Sequence, residues 1–201
     1  MAQGEQELKY QLSESAYGRI LELCQPTDPA VSFSNMYFQA AEPVERADWV
    51  LRLRRSEGAG GELTLKLGRE VSPGMFRSTE YTAQVQSDEV AAWQGTEPLR
   101  VFFEEVSPLL PVFRGASHNI RQVVLAPLGP VARWELDRTS LPDASVFHEL
   151  EIEWEPDAEP TVEEVAAFRA ELEEWFVSQG FSDITPSRKT KYRRFLDSLG
   201  S

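Results

Sequence analysis

The chain has 201 residues, 41% of them hydrophobic and 26% charged, the profile of a globular protein long enough to bury a core. Its 33 acidic against 20 basic residues leave a net charge of −13, which argues against a nucleic-acid duplex as partner, because phosphate backbones are gripped by Lys and Arg. No run of about 18 apolar residues offers a membrane span, no basic-then-apolar leader is present, and the lone Cys24 excludes an intramolecular disulfide or a cysteine-based zinc cluster, so a cytoplasmic protein without membrane association is expected.

Residues 5–12, EQELKYQL, alternate as a strand does, with Glu5, Glu7, Lys9 and Gln11 on one face and Gln6, Leu8, Tyr10 and Leu12 on the other. Ser13 then caps a helix whose spaced positions are Tyr17, Ile20, Leu21 and Cys24, and Gln25-Pro26 ends it. Strands are predicted over 31–40 (VSFSNMYFQA), 49–55 (WVLRLRR) and 63–69 (LTLKLGR), the last two joined by the flexible hairpin segment EGAGGE (57–62). Residues 87–111 read as two short helices broken by prolines. Strands return at 119–127 (NIRQVVLAP) and 132–138 (ARWELDR), joined by a Leu128-Gly129-Pro130 turn, and again at 146–154 (VFHELEIEW).

Thr161 and Glu164 form a capping box ahead of a helix with Val165, Phe168, Leu172, Trp175 and Phe176 on one stripe and Gly180 as its stop. The basic segment 187–200 closes the chain as a terminal helix. With no internal repeat and no dividing linker, one α+β domain over 1–201, built on an antiparallel sheet, is expected.

Comparing the strands is more informative than any one of them. In LRLRR, Leu51 and Leu53 oppose Arg52 and Arg54; in LTLKL, Leu63, Leu65 and Leu67 oppose Thr64 and Lys66. In HELEIEW, Leu150, Ile152 and Trp154 oppose Glu149, Glu151 and Glu153. A single strand of this kind is an ordinary antiparallel strand with one wet face. The set, however, sorts charge by sign, with acids on the first and last of these strands and bases on the middle two. Solvent-facing sheets mix signs, because like charges directly opposite each other destabilise. Sorted signs fit a cation held among the acids and a polyanion among the bases.

Glu5-x-Glu7-x-Lys9 resembles the ExExK signature of the CYTH family, the triphosphate tunnel metalloenzymes. VLRLR (50–54), LTLK (63–66), the acidic Glu80, NIRQVV (119–124), ELD (135–137), ELEIE (149–153) and KYRRFL (191–196) resemble later elements of that family in the same order, across essentially the whole chain. The resemblance implies an eight-stranded antiparallel β-barrel whose charged interior is a tunnel, with helices packed outside. Leu8, Tyr10, Leu51, Leu53, Leu150 and Ile152 would then point outward.

It further implies that Glu5, Glu7, Glu149 and Glu151 hold Mg²⁺ or Mn²⁺, for which carboxylate oxygens are suited. Lys9, Arg52, Arg54, Lys66, Arg121 and Lys191 would cradle the triphosphate, Arg gripping phosphate oxygens bidentately and Lys as a compact charge. Glu80 would orient basic neighbours or a metal-bound water, completing a catalytic set with Glu5, Glu7 and Lys9. Several positions stay open. Glu153 is either a further ligand or rim charge, Glu135 and Asp137 share a face and compete for one acidic position, Lys189 rivals Lys191, and Arg133 supplements or replaces Arg121.

The implied reaction is hydrolysis of a triphosphate to diphosphate and phosphate, by a monomer or homodimer acting on inorganic triphosphate, thiamine triphosphate or a nucleoside triphosphate. A CYTH-type (class IV) adenylate cyclase is the alternative within the family, and a non-catalytic polyphosphate- or nucleotide-binding module the alternative outside enzymes. Two acidic clusters argue against the module, since an anion binder gains little from glutamates beside a polyanion without a metal. Other features read as structural. His118 and His148 lack partner spacing, Gly58, Gly60 and Gly61 lack the Gly-Lys-Ser/Thr ending of a phosphate loop, and the Trp175/Phe176 stripe is core packing.

Overall fold

The alternation seen in residues 5–12 recurs along the chain, and hydrogen bonding between the alternating segments closes them into a barrel. The computed structural model describes residues 3–46, 48–56, 60–129, 133–155, 158 and 160–200. Part of the expected hairpin at 57–62, including Gly58, and Pro130 of the expected turn lie outside the described residues. In chain order the elements are β1 (Gln3–Leu12), α1 (Glu14–Leu23), β2 (Val31–Gln39), β3 (Trp49–Ser56), β4 (Gly61–Ser72) and β5 (Met75–Val85). A 3-10 turn (Val90–Trp93) and α2 (Glu97–Glu105) follow, then β6 (Val112–Val124), β7 (Arg133–Ser140), β8 (Val146–Glu153), α3 (Val162–Ser178), the two-residue β9 (Thr185–Pro186) and α4 (Lys191–Ser198).

The strands run in the order β5-β4-β3-β2-β6-β7-β8-β1, every neighbour antiparallel, and β1 also pairs with β5. That last pairing closes an eight-stranded barrel with the helices packed outside, as expected. Closure removes the exposed edges that open sheets must protect. The structure departs from expectation in several places. β5 is a strand that the sequence pattern does not mark, and β6 spans Val112–Val124 rather than 119–127. The first of the two expected short helices is a 3-10 turn, and the terminal helix begins at Lys191 rather than at 187. In β5 both faces carry polar residues, Ser78, Glu80 and Thr82 on one and Thr79 and Tyr81 on the other, so no apolar period of two marks it.

The hydrophobic core lies outside the barrel wall, in two clusters. One joins Leu8, Tyr10, Trp134, Leu136, Leu150 and Ile152 to Ile20 of α1 and to Val165, Phe168, Leu172 and Phe176 of α3. The other joins Leu51, Leu53, Leu63 and Leu65 to Trp93, Leu99 and Phe102 around α2. Each such side chain, fully buried, contributes about 1.5–3 kcal/mol. The stripe read on α3 is therefore core packing, with Phe176 edge-on to Tyr10 at 5.3 Å. The capping box of Thr161 and Glu164 is formed, and α3 gives way to Gly180 in a left-handed conformation (φ 74°).

α4 also packs outside, but its side chains meet inward-facing residues of the strands. Phe195 packs at a tilt against Tyr37, an inward residue of β2, with ring centroids 4.6 Å apart, and lies beside Gly115 of β6. Gly115 has a φ of 149° at the point where the β2–β6 register shifts, and a Cβ there would meet Phe195 Cζ at 2.9 Å. Among the described residues no helix is long and apolar enough to cross a membrane.

Candidate metal and polyanion site in the barrel interior

Strand register assembles the interior. Across β1 and β8, Glu7 faces Glu153, Lys9 faces Glu151 and Gln11 faces Glu149. Across β8 and β7, Glu151 faces Glu135 and Glu149 faces Asp137; across β7 and β6, Asp137 faces Arg121. On the far side Lys66 of β4 faces Glu80 of β5, and Arg52 and Arg54 project from β3. Most of the acids thus lie on one wall, β7-β8-β1, with Lys9 among them, and Arg52, Arg54 and Lys66 concentrate on another, β4-β3, next to Glu80 on β5. Arg121 on β6 adjoins the acid wall. Charge is sorted around the circumference.

The acid wall brings two groups of carboxylates together, Glu5/Glu7/Glu153 and Glu135/Glu151/Glu153, each with ligand oxygens within 4.8 Å of one another. Glu153 belongs to both. Among the described residues it has no basic partner in an ion pair, and burial together with Glu135, Glu5, Glu7 and Glu151 pushes its carboxyl up to about 8. A carboxyl crowded by other carboxylates and without an ion-pair partner of its own, in groups that offer oxygen alone, fits a hard divalent cation. Glu149 falls outside both groups and sits 3.3 Å from Lys191 Nζ.

The other carboxylates are met by basic side chains. Lys66 pairs with Glu5, with Glu7 at 3.3 Å and with Glu80 at 3.2 Å. Lys9 pairs with Glu151 and, at 3.0 Å, with Glu7. Burial opposes charge on Lys66, but Glu7, Glu5 and Glu80 outweigh it and hold the ammonium above its usual range. Glu80 is kept below the usual carboxylate range against the effect of burial by Lys66 and Arg52. Arg121 pairs with Glu135, with Asp137 at 2.6 Å and with Glu151 at 2.7 Å.

Arg54, on the basic wall, is strained in the opposite sense. Burial and the neighbouring Arg52 and Arg121 lower Arg54 to about 10, the direction expected where guanidiniums crowd without enough anion. The Phe33 ring lies 4.3 Å from Arg54 and 5.8 Å from Arg121, giving both a polarisable surface. On the contiguous strands β4-β3-β2-β6, Thr64 Oγ1, Arg52 Nε, Asn35 Nδ2 and Ser117 Oγ are buried without a hydrogen-bond partner among the described residues. Leaving such groups unmet costs about 1–3 kcal/mol each, so they mark a wall built to meet oxygen-rich ligand or water.

Of the rivals read from sequence, Lys191 enters the interior and contacts Asp137 at 2.8 Å and Glu151 at 2.5 Å. Lys189 lies 55% exposed and pairs with Asp197 at 2.7 Å. Arg133 stands half-exposed at the rim, 2.6 Å from Glu135. Glu135 and Asp137 are both fully buried on the inward face, Glu135 in a carboxylate group and Asp137 among cations. His148 packs on Tyr17 at 4.8 Å, and His118 meets Ser32 Oγ at 3.1 Å. Sequence reasoning placed Thr64 on the charged face without giving it a role, and missed Phe33, Asn35, Ser117, Asn119 and Thr139. Three of these six, Thr64, Asn119 and Thr139, lie two residues from an inward charge on the same strand, so extending the face parity of Arg121 and Asp137 by two finds Asn119 and Thr139.

Comparison with known proteins places this architecture. The sequence profile described as CYTH domain matches residues 3–179. No curated protein sequence matches the chain. Among solved structures, HpAC1 from Hippeastrum, a proposed adenylyl cyclase described as revealing a dominant triphosphatase activity, superposes with a TM-score of 0.79 at 21% identity, covering 96% of this chain and 95% of its own. PH1819 from Pyrococcus horikoshii OT3 gives 0.62 at 18% identity, covering 96% and 98%. A chain of the Schizosaccharomyces pombe Mediator head module gives 0.54 at 10% identity, covering 90% and 98%. At these identities the likeness establishes the barrel, and function has to be argued from its interior.

Proposed function

The chain belongs to the CYTH domain family, and on that premise we propose that it is a metal-dependent triphosphatase that hydrolyses inorganic triphosphate inside the barrel. The observation that carries this reading is the division of the buried interior into a carboxylate wall with two cation-sized groups and a facing wall rich in guanidinium and unmet donors. The dominant triphosphatase activity described for the Hippeastrum neighbour accords with it. The free, buried Cys24 accords with a reducing, cytoplasmic setting.

Glu5, Glu7, Glu135, Glu151 and Glu153 would hold Mg²⁺ or Mn²⁺. A divalent cation so held supplies charge neutralisation at phosphate oxygens and an acidified water. The chain's own residues do the rest. Arg52, Arg54 and Arg121 take up phosphate oxygens from the basic wall, and Lys9, Lys66 and Lys191 reach the same oxygens from the border with the acids. Glu80 keeps Lys66 charged and aimed inward. Phosphoryl transfer depends mainly on such positioning and neutralisation. Water attacks the terminal phosphorus in line with the departing diphosphate oxygen, and its proton passes to a carboxylate of the acid wall.

The test is a substrate panel. Purified protein with Mg²⁺ or Mn²⁺ is offered inorganic triphosphate, thiamine triphosphate and ATP, and phosphate release chiefly from inorganic triphosphate is expected. Cyclic AMP with pyrophosphate from ATP would replace hydrolase by cyclase, and tight binding without turnover of any of the three would replace enzyme by binding module.

A further inference from the structure

Asp137 is fully buried on β7 at the junction of the two walls, yet it belongs to neither carboxylate group. Its oxygens are already filled. Oδ1 accepts from Asn119 Nδ2 at 2.9 Å and from Arg121 Nε at 2.9 Å. Oδ2 accepts from Arg121 Nη2 at 2.6 Å and pairs with Lys191 Nζ at 2.8 Å. With four donors on two oxygens, no lone pair is left for a cation. The contacts are also bidentate to Arg121, the geometry that fixes a guanidinium in direction as well as position.

Behind Asp137 stands a second layer. Asn119, fully buried, accepts from Thr139 Oγ1 at 2.5 Å through its own Oδ1, which leaves its NH₂ group facing Asp137. The register explains the assembly, since Asn119 faces Thr139 and Arg121 faces Asp137 across β6 and β7. Thr139, Asn119 and Asp137 thus form a relay ending on two cations from separate elements, Arg121 on β6 and Lys191 at the start of α4. Both cations also touch Glu151, which does belong to a carboxylate group.

We propose that Asp137 is a positioning residue for triphosphate binding and not a metal ligand: oriented by Asn119 and Thr139, it holds Arg121 and Lys191 at the tunnel wall and so fastens the first turn of α4 to the barrel. Glu151 is the carboxylate these cations can yield to a divalent ion, and Asp137 is the one they keep. The proposal rests on the reading of the tunnel as a triphosphate site.

Three measurements on Asp137→Asn, in the full chain, test it. Calorimetric Mn²⁺ affinity without substrate should stay within about twofold, whereas a metal ligand would lose about tenfold or more. Metal-free binding of inorganic triphosphate should weaken about tenfold, equivalent to about 1.4 kcal/mol. If Asp137 were only a counter-charge, removing it would tighten binding of the polyanion, and that result would overturn the proposal. Amide hydrogen exchange across residues 191–198 should accelerate.

Thr139→Val carries no change of charge and serves if Asp137→Asn does not fold. It should weaken triphosphate binding about threefold with Mn²⁺ affinity kept, and unchanged triphosphate binding would overturn the proposal. Should the parent protein bind no triphosphate, the functional reading fails by itself. Exchange at 191–198 then still decides the anchoring, with no acceleration in either variant counting against it.

Discussion

Glu7 on β1 and Glu153 on β8 face each other in register on the inward side of the barrel, two carboxylates where an ordinary sheet would avoid like charges. Glu7 has Lys9 and Lys66 as ion-pair partners, while Glu153, which faces Arg133 across β7, forms no ion pair among the described residues and is crowded by four other carboxylates. The protein without metal therefore carries an electrostatic cost at this pair that a bound cation would remove.

Glu153→Gln should separate stability from metal binding. The raised folded value means that the folded protein holds the Glu153 proton more tightly than the unfolded chain, so its cost to stability develops as pH climbs from the ordinary carboxylate range to about 8. Above that window the variant should unfold later than the parent when both are metal-free. A gain of about 1 kcal/mol would shift the midpoint by roughly 2–4 °C. Mn²⁺ affinity, followed by calorimetry, should fall in the same variant. Loss of stability instead would mean that Glu153 is not crowded.

Glu7→Gln should lower metal-dependent hydrolysis of inorganic triphosphate about a hundredfold, the scale of several kcal/mol that a divalent ion contributes. Circular dichroism and the thermal midpoint should show an intact barrel, because the amide keeps the shape and an acceptor for Lys9 and Lys66. Unchanged turnover would remove the opening Glu-x-Glu motif from the site.

Lys191→Ala and Lys189→Ala form a matched pair at the start of α4. The first removes an ammonium that touches Asp137, Glu149 and Glu151. The second removes one that meets Asp197 at the surface. KM for inorganic triphosphate should rise about tenfold in the first and move less than about twofold in the second, in line with the small worth of exposed pairs. Equal effects would show that entry into the interior is not what matters.

Acid should unfold the protein partly through Asp137. Burial acts to raise its carboxyl, but Arg121 and Lys191 outweigh burial and hold it at about 2, below the usual 3.8. A depressed folded value means stability that is present above the unfolded value and lost as pH falls through the folded one, here between about pH 4 and 2. The difference corresponds to about 2 kcal/mol. Urea midpoints over that window should decline more steeply in the parent than in Asp137→Asn.

Gly115→Ala should destabilise by about 1–3 kcal/mol, because alanine resists a φ of 149° and its Cβ would press on Phe195. The same variant should bind inorganic triphosphate less well, since α4 carries Lys191. Titration with triphosphate on the folded variant checks this second part.

Much of this arrangement is legible because outward residues on β1, β3, β4 and β8 are large and apolar while their inward neighbours are charged, so parity alone separates the faces. β5 is not legible, since Thr79 outward and Ser78 inward give no contrast, although Glu80 itself stands out. Three glutamates on one face of β8 look alike to parity. Pairing with β1 distinguishes them, setting Glu153 against Glu7 and Glu149 against Gln11. The lysine ambiguity resolves at Thr190, whose hydroxyl accepts from the Arg193 amide and starts the helix between the two candidates. Asn119 and Thr139 carry no charge, and nothing but position on a strand distinguishes them from ordinary β residues.

Because the apolar clusters grip the barrel from outside, the residues that fold this protein and those that would meet a ligand share strands but hardly share neighbours. An inward replacement leaves Leu51, Leu65 and Ile152 seated against their partners, provided that charge inside stays matched. Such a chassis separates what the interior can bind from what holds the scaffold together. The constraint on changing the interior is electrical balance within the barrel more than hydrophobic fit.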